Sequence, residues 1–165
     1  MGEKSDWVQK AAIKWAAEPV HLDTIGIHGI QELVKNNTQK LRLINVWATW
    51  CVPCVHEFPD LVTLNRMYPN RGNEMISISL DDAASQPKAL AFLQRNQSSS
   101  PNYIFAGNDK YHLIETLDPN WQGALPYSML IEPGGKIVYT KKGMNQFEEL
   151  KKIIFNDPFM GRIFK

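Results

Sequence analysis

Leu41-Arg42-Leu43-Ile44-Asn45-Val46-Trp47 runs straight into Ala48-Thr49-Trp50-Cys51-Val52-Pro53-Cys54, and then into Val55-His56-Glu57-Phe58-Pro59. The first seven residues are nearly all apolar and are bounded by polar ones, which predicts a strand covered on both faces. A turn over 48–50 then delivers Cys51, and a helix is expected over 52–68. Pro53 suits its first turn, where a missing N–H costs nothing. Pro59 falls inside the helix and should kink it.

Outward from this segment the chain alternates. Towards the N-terminus, Trp7, Ala11 and Trp15 recur at helical spacing within 6–17, and Glu18-Pro19 should end that helix. A short strand is expected over 20–24, and a second helix from 27 or 29 to 36. Towards the C-terminus the pattern predicts a strand at 74–80, a helix at 85–96, a loop at 97–101 and a strand at 102–106. Next come a helix capped by Asp109 and running to 117, and a strand at 127–132. A turn at Pro133-Gly134-Gly135 leads to a returning strand at 136–141 and a last helix over 145–155. Strands separated by helices imply parallel pairing through right-handed crossovers, and the closing hairpin must be antiparallel. The fold class is therefore α/β, a mixed twisted sheet with helices on both faces.

Composition narrows the function. The 165 residues suit one domain, 44% hydrophobic and 21% charged. Eighteen basic against seventeen acidic side chains leave +1, so no concentrated basic face argues for nucleic acid or a membrane surface. No apolar run approaches the ~18 residues of a membrane span. The start, Met1-Gly2-Glu3-Lys4-Ser5-Asp6, is polar, unlike a secretory signal, and lacks the myristoylation pattern. Only two cysteines occur, four residues apart end to end, so a framework of disulfides is excluded.

A Cys-x-x-Cys between a buried strand and a helix is the setting of redox chemistry. Cys51 sits at the helix start, where free N–H groups and the positive end of the dipole favour a thiolate. Cys54 lies one turn in, close enough to close a small ring. Lowering a thiol pKa from roughly 8.5 to about 7 raises its thiolate fraction about fifteenfold at neutral pH. Reduced intrinsic nucleophilicity takes back roughly fivefold, so attack gains only about threefold. A zinc site is the competing use of paired cysteines. It would want four ligands, and His21, His28, His56 and His112 are scattered, with His56 expected on a helix surface. No metal and no cofactor is expected.

The segment Trp47 to Pro59 closely resembles the active-site stretch of the TlpA/ResA-like thiol–disulfide oxidoreductases of the thioredoxin superfamily. Leu125-Pro126-Tyr127-Ser128-Met129-Leu130-Ile131, followed by Pro133-Gly134-Gly135-Lys136, resembles the family's cis-proline loop, strand and hairpin. The resemblance covers roughly 41–155. It implies a thioredoxin fold in a single domain, 1–165, with an N-terminal helical extension at 1–40, the core at 41–155 and a tail at 156–165.

It also implies roles. Cys51 matches the nucleophile and Cys54 the resolving thiol. Pro126 matches the cis-proline, and the backbone of Leu125 before it would pair with an extended substrate. Trp50 matches a flat apolar residue beside the nucleophile, with partner contact and ordinary packing both open. Glu57 matches an acidic residue near the cysteines and shares a helix face with Cys54; proton relay and a solvated surface carboxylate are the two readings. Asn45 stands where thioredoxins often bury an aspartate, and Tyr127 where a threonine is common.

The implied activity is reduction or exchange of protein disulfides through the Cys51/Cys54 dithiol. Without a histidine between the cysteines, a reductant is expected rather than an oxidant. Partners would be protein disulfides and an upstream thiol electron donor. The implied location is extracytoplasmic, with a membrane tether only through a segment outside this chain. A thiol peroxidase and a thioredoxin-like binding or metal-carrier module are the alternatives. Lys141-Lys142 and Lys151-Lys152 read as solvated faces, and Trp7, Trp15 and Trp121 as core. The apolar tail with Phe155, Phe159 and Phe164 should pack on the domain or meet a partner.

Overall fold

The computed structural model describes residues 2–67 and 72–163, with side chains left undescribed for 2–5, 7 and 161–163. Its centre is β2 (Leu41–Trp47), every residue of which is buried. Side chains alternate across a strand. Leu41, Leu43 and Trp47 therefore enter one apolar cluster, and Ile44 and Val46 enter the other. Asn45 shares the face of the first cluster, which is where the polar chemistry gathers.

Six strands form one sheet in the order β1-β4-β3-β2-β5-β6. The strands are β1 (Asp23–Ile25), β3 (Asn73–Ser79), β4 (Asn102–Phe105), β5 (Tyr127–Ile131) and β6 (Ile137–Lys142) with β2. β1, β4, β3 and β2 run parallel. β5 is antiparallel to β2, and β6 to β5. The expectation that every helix-linked pair of strands is parallel thus fails for β5. The chain leaves β4 through α5 (Lys110–Leu117) and a loop over 118–126, and enters the sheet on the far side of β2 from the opposite end. The Val46↔Tyr127 pairing sets Pro126 beside the carboxyl end of β2, where the cysteine loop departs.

The first cluster is covered by α3 (Val52–Met67), α4 (Gln86–Arg95), α6 (Phe147–Phe155) and α7 (Pro158–Ile163). Trp47, Phe58 and Phe92 meet there with ring centroids 4.9–5.3 Å apart. Such pairs contribute about 0.5–1.5 kcal/mol each beyond their buried area. α2 (Ile27–Lys35) and α5 cover the second cluster. Asp109 caps α5 as expected, accepting from the His112 N–H.

The closing hairpin is pinned to the end of α2. Gly134 donates its N–H to Asn36 O, and Asn36 donates Nδ2 to Ile131 O. Gly135 has φ +99°, and a Cβ there would lie 3.2 Å from Lys35 O, so both the turn and the close approach require glycine.

Several boundaries depart from expectation. β1 forms at Asp23–Ile25 rather than 20–24 and joins the sheet beside β4, so part of the first forty residues is sheet edge. The first helix, α1, spans Gly2–Ala17. Trp15 is half-buried, not core, with the Arg66 guanidinium 4.7 Å from its ring centroid; the side chain of Trp7 lies outside the described residues. Trp121 is buried, as expected. In the tail, Phe155 is exposed and Phe159 half-buried, while Met160, on α7, fills the core; Phe164 is outside the described residues. No helix among the described residues is long and apolar enough to cross a membrane.

Candidate active site

Cys51 ends the turn that leaves β2, and Cys54 lies in the first turn of α3. The two form a disulfide, with Cα atoms 5.3 Å apart. Cys51 occupies the capping position of the helix. Its N–H donates to Ala48 O, its carbonyl accepts from the Val55 N–H, and its Sγ accepts the Cys54 N–H at 3.3 Å. Sulfur thus takes the place that an oxygen side chain fills in an ordinary N-cap, and a thiolate there would meet the same donor. Cys51 is 6% exposed and Cys54 2%. Trp50 and Val52, on either side of Cys51, are 64% and 67% exposed. The first cysteine is therefore the more accessible, and its flanks are open and apolar.

Three buried elements hold this turn. Thr49 donates its N–H and its hydroxyl to the Asp81 carboxylate, the hydroxyl bond being 2.6 Å. Ser79 donates its hydroxyl to the same carboxylate at 2.6 Å. Leu80 donates its N–H to Trp47 O, so the segment after β3 is clamped beside the cysteine turn. On the other side the Leu125–Pro126 bond is cis. Pro126 is buried, its carbonyl accepts the Gly143 N–H, and Leu125 is half-buried against both apolar clusters. Tyr127 points inward: its ring stacks on Trp121 with centroids 4.3 Å apart, and its hydroxyl donates to Asp118 at 2.6 Å. Burial first, then Asp118, pushes the Tyr127 phenol far above its usual value. Its difference from threonine therefore lies in the anchoring of the loop, not in a surface offered to a substrate.

One turn beyond Cys54, Glu57 is 2% exposed, which removes the reading of it as a solvated surface carboxylate. Its Oε1 accepts two bonds from Asn145, from the backbone N–H at 2.9 Å and from Nδ2 at 2.6 Å. Its Oε2 has no hydrogen-bond partner among the described residues. Burial raises the Glu57 pKa above the usual carboxylate value, and Asp60 adds to this; the two Asn145 donors, and more weakly the Asn45 amide, pull it down. The network continues inward. Ser128 Oγ accepts from Asn145 Nδ2 at 3.0 Å and from Asn45 Nδ2 at 3.1 Å, and Tyr139 donates its hydroxyl to Asn145 Oδ1 at 2.6 Å. Asn45, in the place of a buried acid, is a neutral donor in this chain.

Cys51, Cys54 and Trp50 thus follow the carboxyl end of β2, the β2–β5 pairing brings Leu125 and Pro126 to the same end, and Glu57 lies one turn beyond Cys54 on α3. His56 is exposed, as expected for a helix-surface histidine. Asn145, Ser128, Tyr139 and Asp81 belong to the site without any motif in the sequence that marks them. The pattern predicts a last helix from Asn145, but α6 starts at Phe147 with Gln146 as its cap. The Asn145 side chain turns inward to Glu57 instead. Among the described residues no three or more His, Cys, Asp or Glu side chains are grouped to hold a metal ion.

Comparison with known proteins agrees with this geometry. The thiol-disulfide oxidoreductase ResA of Bacillus thuringiensis subsp. konkukian (strain 97-27) is 30% identical over 111 residues, covering 67% of this chain and 60% of that protein. The chain spans about 60% of the length of the curated relatives it matches first. Among solved structures, StoA from Bacillus subtilis superposes with a TM-score of 0.55 at 23% identity, covering 70% of this chain and 83% of that one. A thioredoxin-related protein from Neisseria meningitidis serogroup B gives a TM-score of 0.58 at 26% identity, covering 71% and 86%. The fold is the thioredoxin fold. The Redoxin family model matches residues 29–154, most of the chain and all of the site described above, and the chain belongs to the Redoxin family.

Proposed function

We propose that the chain is a thiol–disulfide oxidoreductase that reduces or exchanges protein disulfides through Cys51 and Cys54. The observation that carries the reading is the Cys51 sulfur set in the cap of α3, accepting the Cys54 N–H between two exposed apolar side chains. In the reduced protein the Cys51 thiolate attacks one sulfur of a substrate disulfide. A mixed disulfide forms, and the first substrate sulfur leaves as a thiolate and is protonated. Cys54 then gives its proton to the Glu57 carboxylate and attacks Cys51 Sγ. The second substrate thiolate departs, and the Cys51–Cys54 disulfide remains. Two electrons have passed to the substrate, and an upstream thiol donor must return two.

Glu57 suits the proton step because burial holds its pKa above the ordinary carboxylate range, nearer the working pH. A carboxylate close to the thiols also disfavours a second negative charge there, and Val52-Pro53 supplies no cation to offset it. Both features favour a reductant over an oxidant. Trp50 offers an apolar surface for the substrate, and the Leu125 backbone offers an edge on which an extended segment could pair. The location is extracytoplasmic by family alone, and the partners are protein disulfides and the thiol donor.

A turnover assay on a protein disulfide, with a small dithiol as electron source, tests the assignment. The parent should accelerate reduction and Cys51→Ser should be inactive; full activity in Cys51→Ser would overturn it.

A further inference from the structure

The buried network beside Glu57 does more than satisfy its members. Asn145 commits its backbone N–H and its whole side-chain amide to this network. Its N–H and one Nδ2 hydrogen go to Glu57 Oε1, the other Nδ2 hydrogen goes to Ser128 Oγ, and its Oδ1 accepts the Tyr139 hydroxyl. Both side-chain donor hydrogens and the side-chain oxygen are thereby engaged. The ionised carboxylate only accepts, so it takes the Nδ2 end of that amide, and the Tyr139 hydroxyl, donating to Oδ1, holds the amide in that orientation. With it in place Oδ1 is engaged, and Nδ2 is aimed at Oε1. Both lone pairs of Oε1 are thereby occupied, while Oε2 is buried without a partner among the described residues. A proton arriving at Oε1 would displace a donor. A proton arriving at Oε2 displaces nothing.

We propose that Asn145 and Tyr139 are positioning residues that hold Oε1 of Glu57 and so assign the exchangeable proton to Oε2. In the oxidised protein, where Cys51 and Cys54 do not titrate, the charged and titratable groups acting on this carboxylate among the described residues are Asp60 on its own helix and Tyr139 on β6, with Glu149 on α6 acting on Tyr139; in the reduced protein the Cys54 thiol joins them. Among the described residues no cation takes part in the arrangement, so the two Asn145 donors are the main support of the ionised form, and the Asn45 amide adds little. Removing the Nδ2 donor must therefore make Glu57 hold its proton more tightly. Removing the Tyr139 hydroxyl takes away the bond that holds the amide in place, which weakens the Nδ2 donation to Oε1 and must act in the same direction. The inference concerns how Glu57 is held. It rests on the proton-relay reading only for its consequence in turnover.

The test is the titration of the Glu57 carboxyl in the oxidised protein, followed by carbon NMR on protein labelled at the glutamate carboxyl carbon, with Glu57→Gln assigning the signal. Asn145→Ala should raise the proton affinity of Glu57 about tenfold, the effect of one lost hydrogen bond to a charged group. Tyr139→Phe should raise it by a smaller factor, with little change in circular dichroism. Midpoints unchanged from the parent in both folded variants would overturn the inference. The pH profile of mixed-disulfide resolution in the same variants reads the relay separately. A titration that moves while that profile stays fixed supports the positioning role and removes Glu57 from the proton step.

Discussion

Replacing Glu57 by Gln isolates the cost of a buried, half-paired carboxylate. The substitution keeps the shape and leaves an oxygen to accept the two Asn145 bonds, but removes the charge. In the parent, the ionised group is 2% exposed and one of its oxygens has no hydrogen-bond partner among the described residues. Leaving a buried acceptor unsatisfied costs about 1–3 kcal/mol. The sign follows from linkage. Folding raises the Glu57 pKa, so its stabilising contribution is complete below the ordinary carboxylate value and is lost as pH rises through the folded value. The parent should therefore lose about 1–3 kcal/mol relative to Glu57→Gln between acid and weakly alkaline pH. For a chain of this size that is a relative Tm change of roughly 2–12 °C. An unpaired Gln amide would cost the same at every pH, so the slope of the difference, not its offset, carries the information. Urea unfolding of both oxidised proteins from pH 4 to 9 measures it. A difference that stays flat across that range, or that shifts in favour of the parent as pH rises, would show that the buried carboxylate carries no such cost.

Two further perturbations separate the scaffold from the contact surface. Asp81→Ala strips the Thr49 and Ser79 donors of their shared acceptor and should destabilise the protein by about 3–5 kcal/mol in urea unfolding; a loss under 1 kcal/mol would show that the cysteine turn does not depend on that clamp. Trp50→Ala, at an exposed position, should change stability by no more than about 0.5 kcal/mol. It should raise KM for a protein disulfide severalfold while leaving turnover of a small disulfide unchanged. Equal effects on both substrates would remove Trp50 from protein recognition.

The parts of the site that lie close together in sequence were the legible ones. Cys51 and Cys54 declare themselves because the chemistry needs them one helical turn apart, directly after a buried strand. Pro126 is readable from the strand and hairpin that follow it. Glu57 could be placed on the face of Cys54 by spacing, but periodicity says nothing about what covers that face. The answer came from Asn145, 88 residues away, across a sheet whose order no local pattern encodes. Ser128 was hidden inside an apolar strand, where a single hydroxyl reads as incidental. The reversed direction of β5 was missed because a helix between two strands ordinarily signals a parallel crossover, and here α5 and its loop carry the chain past β3 and β2. The helix α7 was missed although Asp157-Pro158 announces it. Asp157 accepts from the Phe159 N–H, and proline fills the first helical position.

The two sulfurs differ in accessibility and in the donor that Cys51 alone accepts. Incubating reduced Cys54→Ser with a protein disulfide, and locating the adduct by mass spectrometry after proteolysis, tests that asymmetry most directly. A stable covalent complex through Cys51 should accumulate, with none formed by Cys51→Ser under the same conditions. An adduct carried by Cys54 in Cys51→Ser, and none by Cys51 in the partner variant, would contradict it.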